Sequence, residues 1–189
     1  PEPKENEILV KVCATSLNRA DLMQRMGMYP DPFPGAHEIP GLEFSGTVEK
    51  CGSNTKTWQP GDQVMGIVSG GSYAEYVAVH ERQAMRIPQG VSLTDAAAIP
   101  EVFLTAWDAL VLQGGLTSGR WALVHAGASG VGTAAIQIAK AIGARIAVTC
   151  STGKMRACSD LGADLVVERS PNDWLTTMMT AVPRGFDVV

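Results

Sequence analysis

The chain has 189 residues, 46% of them hydrophobic, which is enough for one large core or two small ones. Its net charge of −4, with no basic run, argues against nucleic acid as an electrostatically bound partner. No apolar stretch reaches bilayer length and no signal peptide is visible; Cys13, Cys51, Cys150 and Cys158 are scattered with no C-x-x-C, so they read as small buried hydrophobes in a reduced, cytoplasmic protein with no membrane partner.

In chain order, residues 7–13 alternate, with Ile8, Val10 and Val12 on one face and Lys11 on the other, which predicts a half-buried strand. Residues 16–26 suit a short helix ended by Gly27. Three prolines within 30–34 make 29–35 a rigid loop. Strands are predicted over 41–51, 64–68, 72–79 and 84–87, separated by glycine and proline turns such as Pro60-Gly61-Asp62. Many short strands of this kind suggest a compact β-barrel or sandwich. The texture changes near Ser92, where Ser92-Leu-Thr-Asp95 is a capping box. A helix bends or stops near Pro100, and a second spans 101–112.

Residues 121–150 read strand, glycine turn, helix, strand, which is a parallel βαβ unit. Val131, Ala135, Ile138 and Ile142 form the apolar stripe of the helix, and Gly143 ends it. The turn between strand and helix is Gly127-Ala-Ser-Gly130-Val-Gly132. A dinucleotide pyrophosphate binds at such a place, on free backbone N–H groups at the positive end of the helix dipole. The usual spacing is G-x-G-x-x-G. Gly127 and Gly132 occupy its outer positions, Ser129 replaces the middle glycine, and Gly130 stands beside it. A strand over 164–168, a helix over 171–181 and the start of a further strand at 186–189 complete the pattern. The class is therefore α/β plus β. A doubly wound sheet needs more strands than these, so the chain is expected to be part of a longer enzyme.

Several segments then match one family. They are residues 18–25 (NRADLMQR), 41–46 (GLEFSG), Pro60-Gly61-Asp62, 96–100 (AAAIP) with Thr105-Ala-Trp107, and 125–132 (HAGASGVG). On these the chain resembles the zinc-independent quinone oxidoreductases of the medium-chain dehydrogenase/reductase superfamily, relatives of zeta-crystallin. Segments 18–25 and 125–132 look closest to the stress-inducible branch known from mammals. The resemblance implies a GroES-like β-barrel catalytic domain over 1–100, lacking its first strands. A Rossmann domain over 101–189 would follow, incomplete at its C-terminus. A homodimer of the full-length protein is also implied.

Zinc enzymes of this superfamily hold the catalytic metal with Cys and His at positions that look like Asn18 and Leu42 here, and neither side chain is a zinc ligand of any strength. No metal site is expected, and hydride addition to an activated acceptor suits a site without a Lewis acid. NAD sites end the second strand with Asp or Glu. Here Ser151 follows it, then Lys154 and Arg156, which suit the 2′-phosphate of NADPH. The cofactor-binding residues expected are Thr105, Gly127, Ser129, Gly130, Val131, Gly132, Ser151 and Lys154. By resemblance, NADPH lies in a cleft between the domains, with Asn18 and Tyr29 facing its reactive end. Asn18 donates an amide hydrogen bond to the oxygen that gains charge, and the Tyr29 hydroxyl donates or relays a proton. Plainer roles stand beside these: Asn18 as a helix cap, Tyr29 as a packed loop aromatic, Thr105 as helix packing, and Lys154 and Arg156 as a solvated helix face. The expected activity is NADPH:quinone oxidoreduction. One alternative is an enone or enoyl-thioester reductase, and another is a non-catalytic NADPH-binding protein of crystallin or RNA-binding type.

Overall fold

The computed structural model describes residues 1–29, 39–170 and 173–189. The expected proline loop beyond Tyr29 and the start of the expected 171–181 helix lie outside the described residues. The chain divides into two compact units, Pro1–Glu101 and Val102–Val189. Among the described residues, no helix is long and apolar enough to cross a membrane.

The first unit is built on a five-stranded antiparallel sheet of order β4-β1-β2-β3-β5. Its strands are β1 (Glu7–Ala14), β2 (Glu43–Cys51), β3 (Gln63–Ile67), β4 (Tyr76–His80) and β5 (Ala84–Arg86). Helix α1 (Arg19–Arg25) lies between β1 and β2 in the chain, and α2 (Leu93–Ala96) follows β5. Ile8, Val10, Phe44, Val48, Val64, Val77 and Val79 form the core of this unit. Burying a side chain such as Phe44 contributes about 1.5–3 kcal/mol. Leu9 is buried as well, so the start of β1 is covered on both faces. Cys13, by contrast, points outward and is exposed, against the expectation that all four thiols are buried. The strand expected from 72 begins only at Tyr76. Ser72 and Tyr73 are held in a turn instead: Ser72 Oγ meets Thr15 Oγ1 at 3.1 Å, and the Tyr73 N–H donates to the Pro40 carbonyl.

Ser92 caps α2 as its sequence predicts, its hydroxyl accepting the Asp95 N–H at 3.1 Å. Helix α3 (Pro100–Trp107) starts one residue earlier than expected, with Pro100 in the first turn. A proline is favoured there, because that N–H has no helical partner to lose. The expected helix to Leu112 continues instead as a π-helical segment, Asp108–Gln113.

The second unit holds a parallel sheet of order β6-β7-β8: β6 (Trp121–His125), β7 (Arg145–Cys150) and β8 (Leu165–Glu168). Helices α4 (Gly130–Ala141), α5 (Met155–Asp160) and α6 (Trp174–Ala181) alternate with them. Val188 bridges Ala122 in parallel on the other side of β6. Ala134, Ala135, Ile138 and Ala139 of α4 pack on Ala122, Ile146 and Val148. Gly143 ends α4 at φ +74°, and the Ala144 N–H returns to the Ala139 carbonyl at 2.9 Å. That left-handed step favours glycine.

Candidate nucleotide and acceptor sites

The turn after β6 is shaped by steric limits. Ala126 takes a left-handed φ of +57°, uncommon for a residue with a Cβ. A Cβ on Gly127 would sit 2.4 Å from Val148, and one on Gly132 would sit 2.5 Å from the Ala126 carbonyl oxygen. Both positions therefore require glycine for close packing of turn, helix and strand. Gly130 meets a side chain rather than backbone or a buried strand: its Cβ would sit 2.9 Å from Val102 Cγ1.

Ser129 is the N-cap of α4, and its Oγ accepts the Gly132 N–H at 3.1 Å. Accepting leaves the hydroxyl hydrogen free to donate. The N–H groups of Gly130 and Val131 carry no hydrogen bond among the described residues. Two free amides and a free hydroxyl thus meet at the positive end of a twelve-residue helix. These are the donors a pyrophosphate needs. The residues present fit a dinucleotide.

Beside this turn lies a pocket of about 220 Å³, lined by Ala126, Ala128, Ser129, Cys150, Ser151, Lys154 and Arg169. Ser151 and Lys154 face the space that a nucleotide on α4 would share. Arg156 does not; it is exposed and ion-paired with Asp160 at 3.6 Å, on the solvated face of α5. Arg169 takes its place as the second cation. Its N–H donates to the Cys150 carbonyl at 2.9 Å, which brings it beside Ser151. The sequence did predict a strand ending at Glu168. The pairing of Cys150 with Glu168 is what carries the next residue to the pocket, and that register is not visible in the sequence. Glu168 is engaged by the Thr152 hydroxyl. Burial, then contact with Cys158, pushes the Cys150 thiol up to about 11, so it lines the pocket as a neutral group. Thr105 is exposed on α3 and is not among the residues lining this pocket.

In the first unit the organising group is Glu43, fully buried at the start of β2. Its Oε1 accepts from Asn18 Nδ2 at 2.7 Å and from the Ser16 hydroxyl, and its Oε2 accepts the Glu101 N–H at 2.8 Å. Three donors offset the cost of burying the carboxylate. Asn18 is also the N-cap of α1, with its N–H donating to Asp21 Oδ2 at 2.6 Å. Asn18 therefore caps the helix, and one amide hydrogen is committed to Glu43. The other is only loosely held, 3.4 Å from Ser16 Oγ. The Tyr73 hydroxyl lies 2.9 Å from Asp21 Oδ2 and 3.2 Å from the Ser16 carbonyl. Burial, the bond to Asp21 and the charges of Asp21 and Glu43 push this phenol up to about 12, which keeps it a donor. Tyr29 is exposed. Glu43 and Tyr73 escaped the reading of the sequence because their partners lie 25 and 52 residues away.

Comparison with known proteins agrees with both units. Residues 4–89 match the Alcohol dehydrogenase GroES-like domain family, and residues 130–189 match the Zinc-binding dehydrogenase family. The chain belongs to the medium-chain dehydrogenase/reductase superfamily, with the quinone oxidoreductase-like members. It is 36% identical to a 2-methylene-furan-3-one reductase of Solanum lycopersicum, over 100% of this chain and 50% of that protein. It is 34% identical to the NADPH-dependent alkenal/one oxidoreductase, chloroplastic, of Arabidopsis thaliana, again over 100% and 50%. Among solved structures, the quinone oxidoreductase of Pseudomonas syringae pv. Tomato DC3000 matches with TM-score 0.85 and 30% identity, over 97% of this chain and 56% of that one. The chain spans about half the length of the curated relatives it matches. The fold is the GroES-like domain followed by a Rossmann-type domain.

This superfamily chain does not fit the zinc that the second family's name implies. Leu42 is a buried hydrocarbon, and the amide nitrogen of Asn18 faces Glu43. A hydrocarbon and a neutral amide stand where zinc would take thiolate and imidazole, and neither is a zinc ligand of any strength.

Proposed function

We propose that the full-length protein is a zinc-independent, NADPH-dependent reductase of conjugated carbonyl acceptors, with quinones as the first substrate class and enones as the second. The observation that carries the cofactor reading is the pocket beside α4, where Ser151, Lys154 and Arg169 meet and, among the described residues, no carboxylate lines the wall. A ribose 2′-OH calls for an acid there, and a 2′-phosphate calls for cations. Bound NADPH supplies a hydride.

The chain's own residues bind, orient and donate. Gly130, Val131 and the Ser129 hydroxyl hold the pyrophosphate in this reading, with Gly127 and Gly132 letting turn, helix and strand pack so that these donors are presented. Ser151, Lys154 and Arg169 hold the 2′-phosphate, and Thr105 is assigned to the nicotinamide half. Asn18 uses its uncommitted amide hydrogen to stabilise the acceptor oxygen as charge develops. Glu43 fixes the amide so that this hydrogen points one way, and Tyr29 supplies a hydroxyl donor. The enone class is supported by the names of two relatives, a 2-methylene-furan-3-one reductase and an NADPH-dependent alkenal/one oxidoreductase. In the full-length protein a homodimer in the cytoplasm is the setting we propose.

The test is NADPH oxidation by the full-length protein with 9,10-phenanthrenequinone, beside an α,β-unsaturated ketone, an enoyl thioester and an NADH control. Quinone turnover with NADPH, reduced in Tyr29→Phe and in Lys154→Ala, supports the reading. Turnover with the enone or thioester alone moves the substrate class. NADPH binding with no turnover of any acceptor refutes an enzymatic role.

A further inference from the structure

A second recess in the Val102–Val189 unit lies at the other end of the parallel sheet. It measures about 620 Å³, and its walls include Arg120, Trp121, Arg145, Arg184, Phe186 and Asp187. Arg120 and Arg145 stand at the N-terminal ends of β6 and β7, whereas Ser129 and Ser151 follow the C-terminal ends. Five residues of β6 at about 3.3 Å each separate the two sites by about 16 Å.

Three guanidinium groups share this recess with one carboxylate. The carboxylate is already committed, Asp187 Oδ2 accepting the Trp121 N–H at 2.8 Å. None of the three arginines forms an ion pair among the described residues. Arg120 gives one N–H to the Gly115 carbonyl at 3.2 Å, and Arg145 lies 5.6 Å over the Trp121 ring. Most of their donors remain unused, since each guanidinium has five. Like charges gathered in a concave, partly apolar recess focus a positive potential that attracts anions. Two aromatic rings add a second preference: Trp121 and Phe186 line the recess with apolar surface, meeting edge to face at 6.2 Å, with the Arg145 guanidinium over one face of Trp121. A small inorganic anion would leave that surface bare, and a neutral aromatic ligand would leave the guanidinium donors unpaired.

We propose that this recess is a second ligand site, selective for a flat organic anion whose conjugated body rests on Trp121 and Phe186 and whose carboxylate, sulfonate or phosphate is held by Arg120, Arg145 and Arg184. The site is separate from the nucleotide pocket and does not depend on the cofactor reading.

The probe is 1-anilinonaphthalene-8-sulfonate, titrated by fluorescence into the full-length protein, with neutral N-phenyl-1-naphthylamine as its uncharged counterpart. The expected result is saturable binding at one site per chain. It weakens at least tenfold in Arg184→Glu, is unchanged in Lys154→Glu, and is at least tenfold weaker for the neutral probe. Circular dichroism and a thermal melt check that Arg184→Glu folds; if it does not, Arg120→Ala is read in its place. Absence of saturable binding, equal affinity for the neutral probe, or binding that Lys154→Glu removes while the arginine variant keeps it would each overturn the proposal.

Discussion

The two units treat their polar groups in opposite ways. At the end of β6 the donors are left open: two amides of α4, the Ser129 hydroxyl, Ser151, Lys154 and Arg169 meet no carboxylate on the pocket wall among the described residues. Around Glu43 and Asp21 in the first unit most donors are committed. Glu43 takes three of them, and Asp21 takes the Asn18 N–H and the Tyr73 hydroxyl. An open set recognises a ligand, while a closed set holds a shape. Under the proposed function, the acceptor end would rely on one oriented amide hydrogen of Asn18 held by Glu43, and the nucleotide end on a surplus of uncommitted donors.

The comparison breaks most severely at the glycine turn. Gly132→Val places a branched side chain against backbone at contacts already 2.5 Å for a Cβ alone. Thermal and chemical denaturation should show a loss of about 2–3 kcal/mol, with nucleotide binding abolished. Next comes Glu43→Gln, which presents an amide to donors that need an acceptor. It should cost about 1–3 kcal/mol by urea denaturation, and acceptor turnover should fall while NADPH affinity holds. A change in NADPH affinity equal to the loss in turnover would contradict the division between the two ends.

Substitutions of the cations are expected to leave stability alone and change selectivity. Lys154→Ala and Arg169→Ala should each reduce the preference for NADPH over NADH by about tenfold, the worth of a charge-assisted hydrogen bond. Arg156→Ala should not, because Arg156 is paired on the solvated helix face. The smallest effect is the alkaline one. The Tyr73 phenol rises from 10 to about 12 in the folded chain, so the folded state holds its proton where the unfolded state has lost it. Its stabilising share is full below pH 10 and is lost as pH rises towards 12. Denaturation at pH 8 and pH 11 should show a smaller alkaline loss for Tyr73→Phe than for the wild type.

Much of the second unit was legible in the sequence because its determinants are local. The apolar runs of β6 and β7, the glycine turn between them, the stripe on α4 and the stop at Gly143 all lie within 30 residues. The nucleotide turn could be located for the same reason, and Ser129 could be seen as the variant position. Arg169 could not, because only the pairing of β7 with β8 carries it to Ser151. In the first unit the strands were visible by alternation, but their order β4-β1-β2-β3-β5 rests on distant pairings. The plainer alternative for Asn18, a helix cap, is seen at the start of α1, two residues later than the expected helix start, and its partner Glu43 is a matter of tertiary packing. The start of β4 moved because Ser72 found Thr15, a contact that strand propensity does not contain.

The most direct test of the open nucleotide end is calorimetric binding of 2′,5′-ADP and of 5′-AMP to the full-length protein at one fixed salt concentration. The two ligands differ only in the 2′-phosphate. Binding of 2′,5′-ADP is expected to be at least tenfold tighter, with the difference removed when Lys154 and Arg169 are both changed to Ala. Equal affinities in the wild type, or tighter binding of 5′-AMP, would contradict that expectation.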